Sequence, residues 1–247
     1  DLLLDTLTDQ YAQTPMGITA ENLAVEYSVS KNEADEYAYQ SHLKALKAYE
    51  ANLIQPEIVA IKQDRVDCSR DEHLREDVSL EQMQKLKPTF KKDGTVTAGS
   101  ASGIVDGASA MIIASEAYVT KYNLKPLAEV IDGQVVGVEP TKMGIGPVPA
   151  ITQLLARQKK SIKDIDLFEI NEAFASQVIS CQRALEIPME KLNIWGGAVA
   201  LGHPLGATGV KISLTLARQM QHLNKDWGIA SACIGGGQGI ALLLKRV

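Results

Sequence analysis

Gly196-Gly197-Ala198-Val199-Ala200-Leu201-Gly202-His203-Pro204-Leu205-Gly206-Ala207-Thr208-Gly209 holds five glycines in fourteen residues and one ionisable side chain, His203. An imidazole among residues with so little side chain is open to a substrate and to distant parts of the chain. Residues 210–220 are apolar at helical period, so His203 sits in a glycine loop that leads into a helix N-terminus. The free N–H groups and positive dipole end there suit developing negative charge. The plain alternative is a packing loop around one satisfied histidine, and the flanking sequence decides between them.

Upstream, residues 165–170 (Ile-Asp-Leu-Phe-Glu-Ile) read as a buried strand and 172–185 as a helix. Downstream, 228–234 and 239–245 read as two strands joined through Gly235-Gly236-Gly237-Gln238, a connection short enough for antiparallel pairing. Further strands are expected at 108–114, 127–138 and 192–195, with helices at 115–122 and 150–158. Strand and helix alternate from residue 108 to the end. That is the pattern of an α/β layered domain with a mixed sheet.

The first 105 residues read differently. After a loop at 13–17 come two helical turns at 19–27. Ser30 and Glu33 then form a capping box before a long alanine-rich helix over 31–52. A strand is expected at 57–61. Charges dominate from 62 to 92, apart from a short helix at 80–86. This stretch is a loop-and-helix excursion with no sheet of its own.

The 247 residues are 45% hydrophobic and 22% charged, a soluble globular composition, and the net charge of −5 gives no reason to expect nucleic acid. No apolar run reaches membrane-spanning length. Cys68, Cys181 and Cys233 are too irregularly spaced for a disulfide framework or a metal site, which suits a reducing compartment. Residues 1–10 resemble neither a signal nor a transit peptide. They read as the middle of a longer chain.

Three groups fall at element ends where chemistry is done. Asn171 follows the buried strand and offers an amide that can hold a water or carbonyl oxygen without changing charge; its plain alternative is a helix N-cap. His203 is the second. Cys233, in Ala-Cys-Ile-Gly-Gly-Gly-Gln-Gly, can supply or accept a proton beside the Gly235 N–H; its plain alternative is inert packing. Together they suit proton transfer alpha to a carbonyl, with a neutral oxyanion donor. Gly144-Ile145-Gly146-Pro147 is a weak dinucleotide-loop candidate, with Pro149 where a third glycine belongs. His42, His73 and His222 have no paired ligand spacing and read as surface or structural. Arg65, Arg70 and Arg75 belong to the charged run, a solvated face that could also meet a phosphate.

Three blocks resemble the C-terminal signatures of the thiolases: Asn171-Glu172-Ala173-Phe174-Ala175, Gly196 through Gly206, and Cys233-Ile234-Gly235-Gly236-Gly237-Gln238-Gly239. Met16-Gly17-Ile18-Thr19-Ala20-Glu21-Asn22, residues 91–107 and residues 143–149 agree, so the likeness runs the whole length. The resemblance implies a layered αβα fold with a mixed sheet. It divides the chain into a partial loop domain (1–105), a returning piece of the N-terminal core domain (106–126) and the C-terminal domain (127–247).

The implied roles follow residue by residue. His203 would deprotonate a nucleophilic cysteine and help bind the thioester oxygen, with Asn171 holding the water that completes that oxyanion hole. Cys233 would be the acid/base cysteine, and the Gly235 N–H would serve a second oxyanion hole. Ser102 would touch the pantetheine arm, Met16 and Met143 would line the acyl pocket, and Arg75 would lie near the nucleotide end of CoA. No metal and no tightly bound cofactor are implied; CoA and 3-ketoacyl-CoA are substrates.

The family's acyl-accepting cysteine lies in an N-terminal half that this chain lacks, and neither Cys68 nor Cys181 has the motif to replace it. The chain alone is therefore expected to be inactive. Pro15, residues 80–82 and Lys91-Lys92-Asp93-Gly94 resemble the mitochondrial 3-ketoacyl-CoA thiolases of fatty-acid oxidation, which implies a matrix location and a homodimer or homotetramer. Ser100 and Val105 replace asparagines common in the family. Three alternatives stand beside this reading: a non-catalytic acyl-CoA binder or assembly subunit, an NAD enzyme using the Gly144 loop, and a Cys-His thioester hydrolase.

Overall fold

The computed structural model describes residues 2–63 and 66–247. Asp1 and Arg65 lie outside the described residues. The chain opens with α1 (Leu2–Thr6), a two-residue ribbon of β1 (Thr8–Asp9) and β2 (Thr14–Pro15), then α2 (Met16–Glu26) and α3 (Lys31–Glu50). A hairpin of β3 (Ile61–Gln63) and β4 (Val66–Cys68), α4 (Leu80–Gln84) and α5 (Glu116–Lys121) follow. The remainder is β5 (Ala128–Gly137), α6 (Pro147–Arg157), β6 (Leu167–Ile170), α7 (Ala175–Leu185), α8 (Ala198–Leu201), α9 (Thr208–Leu223), β7 (Trp227–Ile234) and β8 (Gln238–Arg246).

The main sheet has the order β5-β8-β7-β6. β6 and β7 are parallel, and the other two pairings are antiparallel, which makes the sheet mixed as expected. Alternation along the strands sorts side chains into two layers. Phe168, Ile170, Ile229, Ala241 and Leu243 face the cluster that holds Ile151 and Leu154 of α6 and Val178 of α7. Leu167, Ala230 and Leu244 face Leu216, Ala217 and Met220 of α9 on the other side. Helices therefore cover both faces, and the residues of β6 in step with Leu167 point toward α9.

The first half packs onto this unit. Ser30 accepts from Glu33 N and Glu33 accepts from Ser30 N, so the capping box forms and α3 starts where expected. Ala34, Tyr37 and Ala38 of α3 join the α6–α7 cluster, whereas Ala45, Ala48 and Tyr49 build a second one with Trp195 and Ala200. Buried Glu21 of α2 accepts the backbone N–H groups of Thr95 (2.8 Å) and Val96 (2.9 Å), which carries the segment from 95 onward toward α7.

Several expected elements are corrected, and the first 105 residues, expected to have no sheet, carry two small two-stranded ones, β1–β2 and β3–β4. Residues 57–61 are not a strand: Pro56 nucleates a 3-10 turn over Gln55–Glu57, and only Ile61 enters β3. Residues 108–114 belong to no strand, leaving Ile112 96% and Ile113 75% exposed. An apolar run becomes a strand only where a sheet edge receives it. Residues 192–195 contribute isolated bridges, Leu192 to Phe168 and Ile194 to Gly196, and no strand. Helix α6 begins earlier than expected, at Pro147, because proline is compatible with a helix's first turn, and α2 begins earlier, at Met16, directly after Pro15 at its N-cap. α7 begins later, at Ala175.

Candidate active site

β6 ends at Ile170, and Asn171 continues the parallel pairing by donating its N–H to Ser231 O at 2.9 Å. Its side chain is buried, 2% exposed. Phe174 occupies the N-cap of α7 and no side chain caps that helix, so Asn171 is not the cap. Glu172 turns the other way. Its carboxylate accepts from Tyr37 Oη (2.8 Å), Ser41 Oγ (2.7 Å), Asn193 Nδ2 (2.9 Å) and Val199 N (3.0 Å). Donors from α3, the 193 turn and α8 thus converge on one buried carboxylate. This holds the α8 loop against β6.

The loop before His203 turns at Gly202 (φ +89°), where a Cβ would lie 2.6 Å from a Val105 methyl. Only glycine fits there. His203 N donates to Gly103 O at 2.9 Å. On the ring, Nδ1 lies 2.6 Å from Thr208 Oγ1, and Nε2 lies 3.3 Å from Asn171 Nδ2. Thr208 spends its hydroxyl hydrogen on Pro204 O (3.0 Å). Nδ1 therefore carries the ring proton, and Nε2 presents its lone pair toward the Asn171 amide. Burial and the nearby charge of Lys211 push His203 down to about 4. The imidazole is neutral at pH 7 and can accept a proton.

Cys233 stands near the carboxyl end of β7, two residues beyond Ser231, which pairs with Ile170. Asn171 and Cys233 therefore close the same edge of the sheet on neighbouring strands. The thiol is half-buried but closely ringed by protein, and burial pushes it up to about 12. It stays protonated at neutral pH, a proton donor in waiting. The turn after it is held from far away: Asp9 Oδ2 accepts Gly236 N at 2.7 Å, while Oδ1 accepts Tyr11 N and Ala12 N. Desolvation opposes the charge on Asp9, yet the N–H groups of Ala12, Gly236 and Tyr11 hold its pKa below the ordinary value. Met16, at the start of α2, lies against Gly235, whose Cβ would be 2.8 Å from Met16 Cε.

Ser102 donates its N–H to Ala173 O at 3.0 Å, and Ala101 bridges Phe174, so Ser102 runs alongside the Asn171 block. The next residue, Gly103, packs on the His73 ring, and Arg75 is exposed two residues further along that segment. Met143 is buried in the 3-10 turn Pro140–Ile145. The Gly144 loop is spent on packing. Gly144 faces Leu23 and Gln177, and a Cβ on Gly146 would lie 2.7 Å from the backbone of Gly239. No room remains there to cradle a pyrophosphate, which counts against the NAD alternative. His42 is buried, tilted against His73 at 6.5 Å, and His222 stands edge-on to Trp195 at 6.1 Å. Among the described residues no group of three His, Cys, Asp or Glu side chains could hold a metal, and no helix is long and apolar enough to cross a membrane.

Residues 1–117 match the family model for the thiolase N-terminal domain, and residues 124–246 match the model for the thiolase C-terminal domain. The chain belongs to the thiolase family. It is 49% identical to the mitochondrial 3-ketoacyl-CoA thiolase of Mus musculus, over 100% of this chain and 63% of that protein. It is 47% identical to a probable acetyl-CoA acyltransferase of Staphylococcus aureus, over 99% of this chain and 63% of that protein. The crystal structure of human mitochondrial 3-ketoacyl-CoA thiolase in complex with CoA superposes with a TM-score of 0.97 at 48% identity, covering 100% of this chain and 62% of that one. The chain thus spans 63% of the length of these curated relatives. The fold expected from the three signature blocks is the fold found.

Sequence reasoning missed three residues of this candidate site. Glu172 was inside a quoted block and Thr208 inside the glycine-rich stretch, but nothing in a linear pattern tells a buried anchor from a neighbour. Asp9 gave no signal, because its partner Gly236 is 227 residues away.

Proposed function

We propose that the protein containing this chain catalyses CoA-dependent cleavage of 3-ketoacyl-CoA to acetyl-CoA and a shortened acyl-CoA, or the reverse condensation, in fatty-acid β-oxidation. The observation that carries this reading is the neutral His203 whose Nε2 lone pair meets the Asn171 amide, at the same sheet edge as protonated Cys233.

The nucleophile belongs to the part of the relatives that this chain does not span. Cys181 is wholly buried, donates to Gly144 O at 3.3 Å, and is pushed well up by burial. Cys68 ends the β3–β4 hairpin. Neither serves. The exposed apolar run at 108–114 supports the same division, since it awaits a sheet edge.

In this mechanism His203 Nε2 takes the nucleophile's proton and the thiolate adds to the 3-keto carbon. The C2–C3 bond breaks and its electron pair passes to C2. The resulting enolate oxygen is held by His203 and by a water on Asn171. Cys233 gives its S–H proton to C2, releasing acetyl-CoA. Its thiolate then takes the proton of the incoming CoA thiol, which attacks the acyl carbon near the Gly235 N–H; the acyl–nucleophile C–S bond breaks and the expelled thiolate takes back its proton from His203 Nε2. Ser102 lies along the path of the pantetheine arm, with Arg75 toward the nucleotide end. Met16, against Gly235, and Met143 are assigned to the acyl pocket.

The mitochondrial relatives support a matrix location, and the bacterial ones support a bacterial cytoplasm to the same degree. A homo-oligomer is part of the proposal.

The test uses the complete protein with 3-ketoacyl-CoA, with and without free CoA. Turnover that requires CoA and yields two acyl-CoA products is expected, while this chain alone binds CoA without turnover. Thioester loss to free acid without CoA would instead establish a hydrolase. CoA binding with no turnover by the complete protein would establish an acyl-CoA binder.

A further inference from the structure

Glu169 and Asn171 are two residues apart at the end of β6 and so share a face, the one turned to α9. Glu169 is 3% exposed. Gln219 of α9 donates from Nε2 to Glu169 Oε1 at 2.7 Å, which leaves Oε2 as the oxygen able to carry a proton. Asn171 Oδ1 is a buried oxygen with no hydrogen-bond partner, although Nδ2 of the same amide meets His203. Glu169 and Asn171 both line a cavity of about 30 Å³, together with Gly197, Thr208, Lys211 and Thr215 among others. That is room for one or two waters with polar groups on several sides.

An asparagine amide can be turned over at little cost unless something distinguishes its two ends. His203 tests one end only. With its ring proton committed to Thr208, Nε2 needs a donor, and a turned amide would aim Oδ1 lone pairs at it. The other end must therefore meet a donor. We propose that Glu169 is a positioning residue whose carboxyl O–H donates through one interior water to Asn171 Oδ1, fixing the amide with Nδ2 toward His203. Burial supplies the protonated form: it raises the Glu169 carboxyl to about 8, despite the Gln219 hydrogen bond. The negative charges of Glu172 and Glu57 add to that rise, while Lys44 opposes it.

The consequence for the oxyanion hole rests on the reading of function given above. The amide geometry does not, so the test reads the amide and the imidazole directly. Histidine titration by NMR, on the complete protein with labelled imidazoles, follows His203 in wild type, Glu169→Gln and Glu169→Leu. Glutamine keeps an N–H donor toward the cavity, so His203 should titrate as in wild type. Leucine removes the donor and frees the amide to turn, and His203 should rise by about one pH unit or more. A crystal structure of the wild-type protein, fine enough to show the interior water between Glu169 and Asn171 Oδ1, is expected to agree. An unchanged His203 in Glu169→Leu, a rise as large in Glu169→Gln, or an Asn171 amide with Oδ1 toward His203 would each overturn the proposal. Should Glu169→Leu fail to fold, Glu169→Gln and the crystal structure decide alone. Loss of turnover with these features intact would instead count against the thiolase reaction and leave the positioning role standing.

Discussion

On the proposed function, replacing His203 by alanine in the complete protein is expected to lower kcat for thiolysis by about 10²- to 10⁴-fold, the range of a general base that also helps bind an oxyanion. The geometry allows no substitute. Nδ1 is held by Thr208, Nε2 faces Asn171, and both sit in a loop whose turn at Gly202 only glycine can make. Water entering the vacated space would be a weaker base, since the imidazole is kept neutral and ready by burial and by Lys211. Steady-state kinetics check this. The drop should appear in kcat and in kcat/KM alike, because the interaction is realised in the transition state. A rise in KM with kcat unchanged would reduce His203 to a packing residue.

Glu172→Leu should destabilise the fold by about 3–5 kcal/mol, the summed cost of leaving several buried donors without their acceptor. Four donors from three separate parts of the chain lose their shared acceptor: Tyr37 Oη, Ser41 Oγ, Asn193 Nδ2 and Val199 N. Apolar leucine satisfies none of them; Asn193 Nδ2 keeps Ile170 O and Tyr37 Oη, while Tyr37 Oη, Ser41 Oγ and Val199 N lose their acceptor and bear the desolvation cost. Adding a Cβ to Gly197 would strike this same carboxylate, which shows how closely the loop is drawn around it. Urea unfolding gives the measurement: a lower midpoint at unchanged slope. A midpoint within error of wild type would mean that the network is not what pins the α8 loop.

The two substitutions differ in how far the sequence foretold them. His203 was legible because it is a lone ionisable group in glycine-rich surroundings, ahead of a strongly periodic helix. The mixed sheet was legible for a similar local reason, since β7 and β8 are apolar runs joined by a connection too short to cross over. Glu172 was not. A buried carboxylate differs from an exposed one only in what surrounds it, and its donors lie 135 and 131 residues away at Tyr37 and Ser41. The expected strand at 108–114 went wrong by the converse logic. Its composition is that of a strand, but composition cannot supply the neighbouring edge that makes it one. Residues 57–61 failed because Pro56 sits in the first turn of a 3-10 helix, so only Ile61 reaches β3. Short apolar runs stay ambiguous until a partner is present.

The most direct test of the thiolase reading is the fate of the proton on Cys233. The complete protein is run in D₂O with 3-ketoacyl-CoA and free CoA, and the acetyl-CoA is analysed by mass spectrometry as it forms. A solvent deuteron delivered to the acetyl methyl in each turnover, with turnover lost in Cys233→Ala, is the predicted result. Undiminished turnover in Cys233→Ala, or free carboxylic acid in place of the shortened acyl-CoA, would contradict it.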